Sequence, residues 1–347
     1  MRTLGINGGN GVLLHPLKES LIGNIELRSV FHTKGDLQWK SNFGEIPIIK
    51  KLNKNLDLPN FDDVDIILSH PDCGHSSILA YSRAKKMGNP KENQSMTLFF
   101  KSVKEYRPKL FLMENLPKLL DTYGKEDIQN ALPGYNLIWH CMSVSEFGNS
   151  QLNRVRLILI GTREDLPRYY VNIFKNVYKV NLLKKSDGLL KGLPEYEIPE
   201  ICHIRERDAE MITLYAGYKD FLLNIKNEWM KDRKNEGRWK VEGKNFTTAP
   251  GVYRNRPLDY PNTIRPANRQ FNKYGLMMSP REMAVIQGIP LDYILYHDTK
   301  CTDYKEKKYQ INKARVTVGK TPPYEIGLWF YYQVKKIRKK LLNYNKG

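Results

Sequence analysis

Two short apolar runs constrain the fold of this chain most. Asp65-Ile66-Ile67-Leu68 leads into Ser69-His70-Pro71-Asp72-Cys73-Gly74, and Leu110-Phe111-Leu112-Met113 leads into Glu114-Asn115-Leu116-Pro117. Each run is continuous and of strand length, which is how a parallel strand covered on both faces reads. Between them Met96, Phe99, Phe100, Val103 and Tyr106 recur at helical spacing, a stripe expected to pack on a sheet. Thr3-Leu4-Gly5-Ile6 with the Gly-rich turn 7–11, the strand edge 24–27 and the runs 136–142 and 157–162 continue the alternation. The pattern predicts an α/β fold with a doubly wound, mostly parallel sheet. A thiol and a carboxyl at the carboxyl ends of two such strands sit where α/β enzymes place reacting groups, so Cys73 and Glu114 are expected to meet over one ligand.

Beyond residue 166 the alternation fades and Tyr, Lys, Asn and Pro become frequent. An amphipathic helix is expected over 206–230, polar loops over 231–275, a helix capped by Ser279 with Pro280 at its first position, and a terminal helix over 326–342. The organisation expected is a catalytic, cofactor-binding domain from 1–165 and 306–347, with a smaller target-recognition domain from 166–305. Lys and Arg total 56 against 37 Asp and Glu, a net charge of +19 spread along the chain. That balance suits a polyanion, most simply nucleic acid. The four cysteines form no Cys-x-x-Cys pair and no zinc spacing, which excludes a disulfide scaffold and a metal centre of that type. With neither an apolar signal core nor a membrane-length run, a cytoplasmic monomer without membrane contact is expected.

Seven segments, in order, resemble the cytosine-C5 DNA methyltransferase family nearly end to end. Pro71-Asp72-Cys73 resembles its Pro-Pro-Cys nucleophile loop, and Glu114-Asn115-Leu116 its Glu-Asn-Val. The stretch 4–9 resembles the Phe-x-Gly-x-Gly-Gly cofactor turn, with Glu26 where the ribose-binding acid is expected and Asn42-Phe43-Gly44 after it. Gln151 to Arg156 is similar to Gln-x-Arg-x-Arg, and Met278 to Pro290 to the Leu-Thr-x-Arg-Glu helix. Gly319-Lys320-Thr321-Pro322-Pro323 is similar to Gly-Asn-Ser-Val-Pro-Pro. The resemblance implies a Rossmann-like, class I adenosylmethionine-dependent fold acting on double-stranded DNA. It implies cofactor contacts from Leu4, Asn7, Gly8, Glu26, Leu27, Pro71 and Lys320.

The chemistry implied explains these residue types. A thiolate adding to carbon 6 of cytosine turns the ring into an enamine whose carbon 5 attacks an electrophilic carbon. A thiol of pKa about 8.5 is only a few per cent ionised near neutrality, yet its thiolate is strongly nucleophilic; Cys73 takes this role. Glu114 serves ring nitrogen 3 and the exocyclic amine, or else caps a helix starting at Leu116. Arg154 or Arg156, with Arg156 favoured, holds the exocyclic oxygen. The base must leave the stack, and a mobile loop over 77–94 carrying Arg83, Lys85 and Lys86 suits the phosphates. Residues 166–305 are expected to read sequence in the major groove.

The chain also departs from the family pattern. Asp72 replaces the second Pro, Gly74 replaces Gln, Asn7 stands in the first turn, and Gln151 to Arg156 carries one extra residue. Lys320 stands where the family has Asn near the sulfonium. Two cations about 5 Å apart at an effective dielectric of about 20 repel by about 3 kcal/mol. An inward Lys320 would therefore favour carboxy-S-adenosyl-L-methionine over S-adenosyl-L-methionine, and yield 5-carboxymethylcytosine. A Lys320 turned to solvent, to a phosphate or to the cofactor's own carboxylate would not. RNA cytosine-C5 methylation and a catalytically inactive DNA-binding relative are the competing readings.

Overall fold

The computed structural model describes residues 1–27, 33–50, 57–72, 93–184, 278–295 and 314–344, with isolated positions and short strands between 189 and 271. Cys73, Arg83, Lys85 and Lys86, most of the loop 77–94 and the helix expected over 206–230 lie outside the described residues. Two compact units result, Met1–Leu183 with Thr321–Gly347, and Lys184–Lys320.

The first unit is built on seven strands: β1 (Thr3–Ile6), β2 (Leu21–Glu26), β3 (Ile48–Lys50), β4 (Ile66–Ser69), β5 (Leu110–Asn115), β6 (Tyr135–Ser143) and β7 (Val155–Arg163). Their order is β3-β2-β1-β4-β5-β7-β6. β3 to β5 run parallel, while β7 is antiparallel to both β5 and β6. The strand order reverses between β1 and β4, which opens a crevice beyond their carboxyl ends.

Alternation of side chains assigns each strand two faces. Ile66, Leu68, Leu110, Leu112, Ile158 and Ile160 point to one, where helix α4 (Tyr324–Tyr344) packs with Trp329, Phe330 and Ile337. Ile67, Phe111, Met113, Leu157 and Leu159 point to the other, where helix α2 (Gln94–Tyr106) packs with Met96, Phe99 and Val103. The stripe expected from sequence is thus the buried face of α2. A helix α1 (Thr33–Phe43) adds Trp39 and Phe43 to the first layer. Gly327 lets α4 approach closely, since a Cβ there would collide with the Leu13 carbonyl oxygen.

Some boundaries differ from the sequence reading. β2 begins three residues before the expected edge, because Leu21 and Gly23 already pair with Thr3 and Leu4. Gln94 is helical: the Asn93 side chain accepts from the Ser95 amide and caps α2 there. Glu114 caps no helix, because Leu110–Asn115 is continuous strand.

In the second unit a helix α3 (Pro280–Ile286) starts with a capping box, as the Ser279–Pro280 signal predicts: the Ser279 hydroxyl accepts from the Glu282 amide, and the Glu282 carboxylate accepts from the Ser279 amide. Arg315 donates to the Met278 carbonyl and Gln287 to that of Val318, tying α3 to a helical segment at 314–320. Two strand pairs complete the described part, Arg238–Val241 with Lys244–Thr247 and Val252–Arg254 with Arg269–Phe271.

Candidate active site

The register of β4, β5 and β7 builds the centre of the site. Ser69 lies opposite Met113, so the next residues, His70 and Glu114, emerge side by side. Glu114 lies opposite Ile158 on β7, which places Arg156, two residues away, diagonally on the same face. All three continue the row of Leu68, Leu112 and Ile158. Nδ1 of His70 lies 2.5 Å from Oε2 of Glu114, and Nε of Arg156 lies 2.8 Å from Oε1. The Glu114 side chain is fully buried, while those of His70 and Arg156 are 18% and 14% exposed. Burial alone would neutralise the carboxyl, but His70 first, then Arg156 and Arg154, hold its pKa below the ordinary range. Burial likewise disfavours the imidazolium, yet Glu114 lifts His70 above its usual value, against an opposing push from Arg156.

The stem of the loop leading to Cys73 is held from three sides. Asn115 donates to the Pro71 carbonyl, Asn93 to the Asp72 carbonyl, and the Asp72 amide donates to the Ser95 hydroxyl. Asn115 therefore couples the stem to the strand that carries Glu114.

The crevice beyond β1 has a second polar centre. Asn7 sits in the left-handed region at φ 52°, which a short amide side chain tolerates. Its side chain accepts from the Leu27 amide and donates to the Ser95 carbonyl. A Cβ at Gly8 would come within 2.5 Å of a Leu14 methyl and 2.9 Å of the Asn24 oxygen, so a larger residue there would displace both side chains. Oε1 of Glu26 accepts from the Gly9 amide and from Asn24, both at 2.7 Å. Burial pushes Glu26 up to about 7 despite these donors. Both of these donors use Oε1. Leu4 is buried beneath this turn, and Pro71 is buried at the stem.

The two arginines separate. Arg154 is buried and donates to the Thr321 carbonyl, while the Thr321 hydroxyl accepts from Asn10. Arg154 thus braces the segment before α4, and Arg156 is the guanidinium on Glu114. Asn149 links the same region to Glu325, whose carboxyl burial raises to about 7. Lys320 is exposed. Asn24, Asn93, Ser95 and His70 carry no role in the sequence reading. Their signal was present as polar side chains at the ends of apolar runs or next to glycine turns.

A likeness to solved structures of low identity establishes the fold. A protein described as a DNA modification methyltransferase encoded within an E. coli prophage superposes with a TM-score of 0.61, covering 98% of this chain and 99% of its own at 16% identity. The S. pombe Dnmt2 methyltransferase gives 0.58, covering 98% and 99% at 13% identity. The fold is thus that of the Rossmann-like methyltransferases. The model for C-5 cytosine-specific DNA methylases matches residues 28–312, and the chain belongs to that family. Type II methyltransferase M1.ScrFI of Lactococcus lactis subsp. cremoris is 26% identical over 308 residues, 81% of this chain and 68% of its own length. Type II methyltransferase M.Bpa9945I of Bacillus paralicheniformis is 26% identical over 161 residues, 42% of this chain and 36% of its own.

Proposed function

We propose that this chain transfers a methyl group to carbon 5 of a cytosine turned out of double-stranded DNA. The observation that carries this is the buried Glu114 carboxylate at a strand end, gripped by His70 and Arg156, on a strand that also anchors the stem leading to Cys73. Cys73 adds to carbon 6, and Glu114 engages nitrogen 3 and the exocyclic amine. Arg156 holds Glu114 in place and faces the base's exocyclic oxygen. Arg154 keeps the segment before α4 in register. Arg83, Lys85 and Lys86 serve the phosphates, and residues 166–305 the base edges. When bound, S-adenosyl-L-methionine supplies the electrophilic methyl carbon. Glu26 takes the ribose hydroxyls on Oε2, and Leu4, Asn7, Gly8, Leu27 and Pro71 line the crevice. Membership of the family supports S-adenosyl-L-methionine, and carboxy-S-adenosyl-L-methionine at Lys320 is the second reading.

Incubation with unmodified genomic DNA and each cofactor, followed by mass spectrometry of the nucleosides, tests this reading. 5-Methylcytosine from S-adenosyl-L-methionine is expected. 5-Carboxymethylcytosine from carboxy-S-adenosyl-L-methionine as the favoured product would support the inward Lys320. Transfer to RNA alone, or DNA binding without transfer from either cofactor, would favour the competing readings.

Glu26 gives a pH signature of cofactor binding. Only the ionised carboxylate accepts from both hydroxyls, and its pKa of about 7 places the change near neutrality. Calorimetric affinity for S-adenosyl-L-methionine is expected to be about tenfold weaker at pH 6 than at pH 8. Glu26→Gln is expected to bind weakly at both. A pH-independent wild-type affinity would remove Glu26 from the cofactor site.

A further inference from the structure

The Glu114 carboxylate as held here is poorly suited to donate a proton. Two cationic side chains, one on each oxygen, favour its ionised form. Protonation of nitrogen 3 as the thiolate adds to carbon 6 nevertheless requires a proton from that side of the base. Resting on the cytosine-C5 reading above, we propose that His70 and Glu114 act as one unit sharing a single proton, with His70 a positioning residue that loads the carboxyl.

The step balances without a further reactant. As the bond from the Cys73 sulfur to carbon 6 forms, the ring's π electrons shift toward nitrogen 3. The proton on Nδ1 of His70 passes to Oε2 of Glu114, and the carboxyl hands it to nitrogen 3. His70 is left neutral and Glu114 ionised. When the sulfur leaves carbon 6, the proton returns by the same route. The register of β4 against β5 brings the two groups into contact, because the side chains leave adjacent strands at the same level and face, and the transfer runs once Nδ1 and Oε2 align around the bound base. Contact with the Glu114 carboxylate favours the protonated imidazole, the form that loads the unit.

The charged groups facing His70 among the described residues come from three other strands of the sheet. Glu114 on β5 favours the imidazolium, Arg156 on β7 disfavours it, and Glu26 on β2 interacts with it at longer range. Arg154, before β7, acts on Glu114. Removing His70 leaves the carboxyl beside two guanidinium groups, and a proton would then bind it only in more acidic solution.

His70→Asn tests the idea, because its amide can still donate to Oε2 but cannot release a proton into the reaction. The wild-type rate should fall at alkaline pH as His70 loses its proton. In His70→Asn, transfer near pH 7.5 is expected to drop by about 100-fold, and the alkaline limb should move at least about one pH unit toward acid. Melting temperature should fall by the stability the ion pair supplies, while DNA affinity stays close to wild type. A cofactor-free readout is exchange of the carbon 5 hydrogen of cytosine in D₂O, followed by mass spectrometry, which should fall in parallel. His70→Ala should regain part of the exchange when imidazole is added, a rescue that a purely structural role would not give. Wild-type rate and pH profile in His70→Asn, with an active parent enzyme, overturn the inference and leave the methyltransferase reading intact. A parent chain that neither transfers nor exchanges overturns both.

Discussion

Glu114→Ala is expected to lose about 10³-fold in transfer and about 3–5 kcal/mol in stability. The two losses have different origins. Activity falls because no group remains to serve nitrogen 3 while sulfur adds to carbon 6. Stability falls because Arg156 and a protonated His70 are left in a largely buried site without their counter-charge. Glu114→Gln separates the effects: its amide oxygen still accepts from Arg156, so the stability loss should shrink while the activity loss persists.

The pH dependence follows from the signs of the shifts. The depressed pKa of Glu114 contributes stability that is present above its ordinary value of 4.5 and lost as pH falls through the folded value. The raised pKa of His70 contributes stability that is complete below 6.5 and lost as pH rises through its folded value. The melting difference between wild type and Glu114→Gln should therefore be largest between those two ordinary values, and narrow on either side. A difference that is flat with pH would show that the carboxylate and the imidazole are not coupled in solution.

What could be read from the sequence depended on how local the cause was. Ile66–Ser69 and Leu110–Asn115 are legible because a strand buried on both faces leaves a continuous apolar run. Pro280–Ile286 is legible because its cap lies within three residues of its start. Glu114 and Glu26 stand out as lone acids at the ends of such runs. His70 did not, although it stands in the same segment as Cys73, because its meaning depends on pairing with a strand some forty residues away. Asn24 was hidden for the same reason: its oxygen supports Gly8 and its nitrogen supports Glu26 only once β1 and β2 are adjacent. The division of work between Arg154 and Arg156 could not come from motif spacing, since the extra residue shifts the register. It follows from where β7 begins: Arg154 precedes the strand and turns inward to Thr321, and Arg156 lies on the face that carries Glu114.

The largest effect belongs to Cys73→Ala, which is expected to abolish transfer while leaving folding and cofactor affinity unchanged. The reason is the anchoring of its stem. The Pro71 and Asp72 carbonyls and the Asp72 amide are held by side chains of β5, of the residue capping α2 and of α2 itself, and none of these bonds involves residue 73. Truncating the thiol removes the bond to carbon 6. Without that bond carbon 5 has no enamine to draw on, and no positioning of the base compensates. DNA carrying 5-fluorocytosine makes the distinction visible. The carbon–fluorine bond cannot release a proton equivalent after transfer, so the wild-type enzyme should remain attached to the DNA through a denaturing gel, and Cys73→Ala should run free. Glu114→Gln, with its thiol intact but its proton relay broken, should form the same adduct slowly. Transfer surviving in Cys73→Ala would mean that carbon 5 is activated without a sulfur–carbon bond, and the roles assigned to Glu114 and His70 would fall with it.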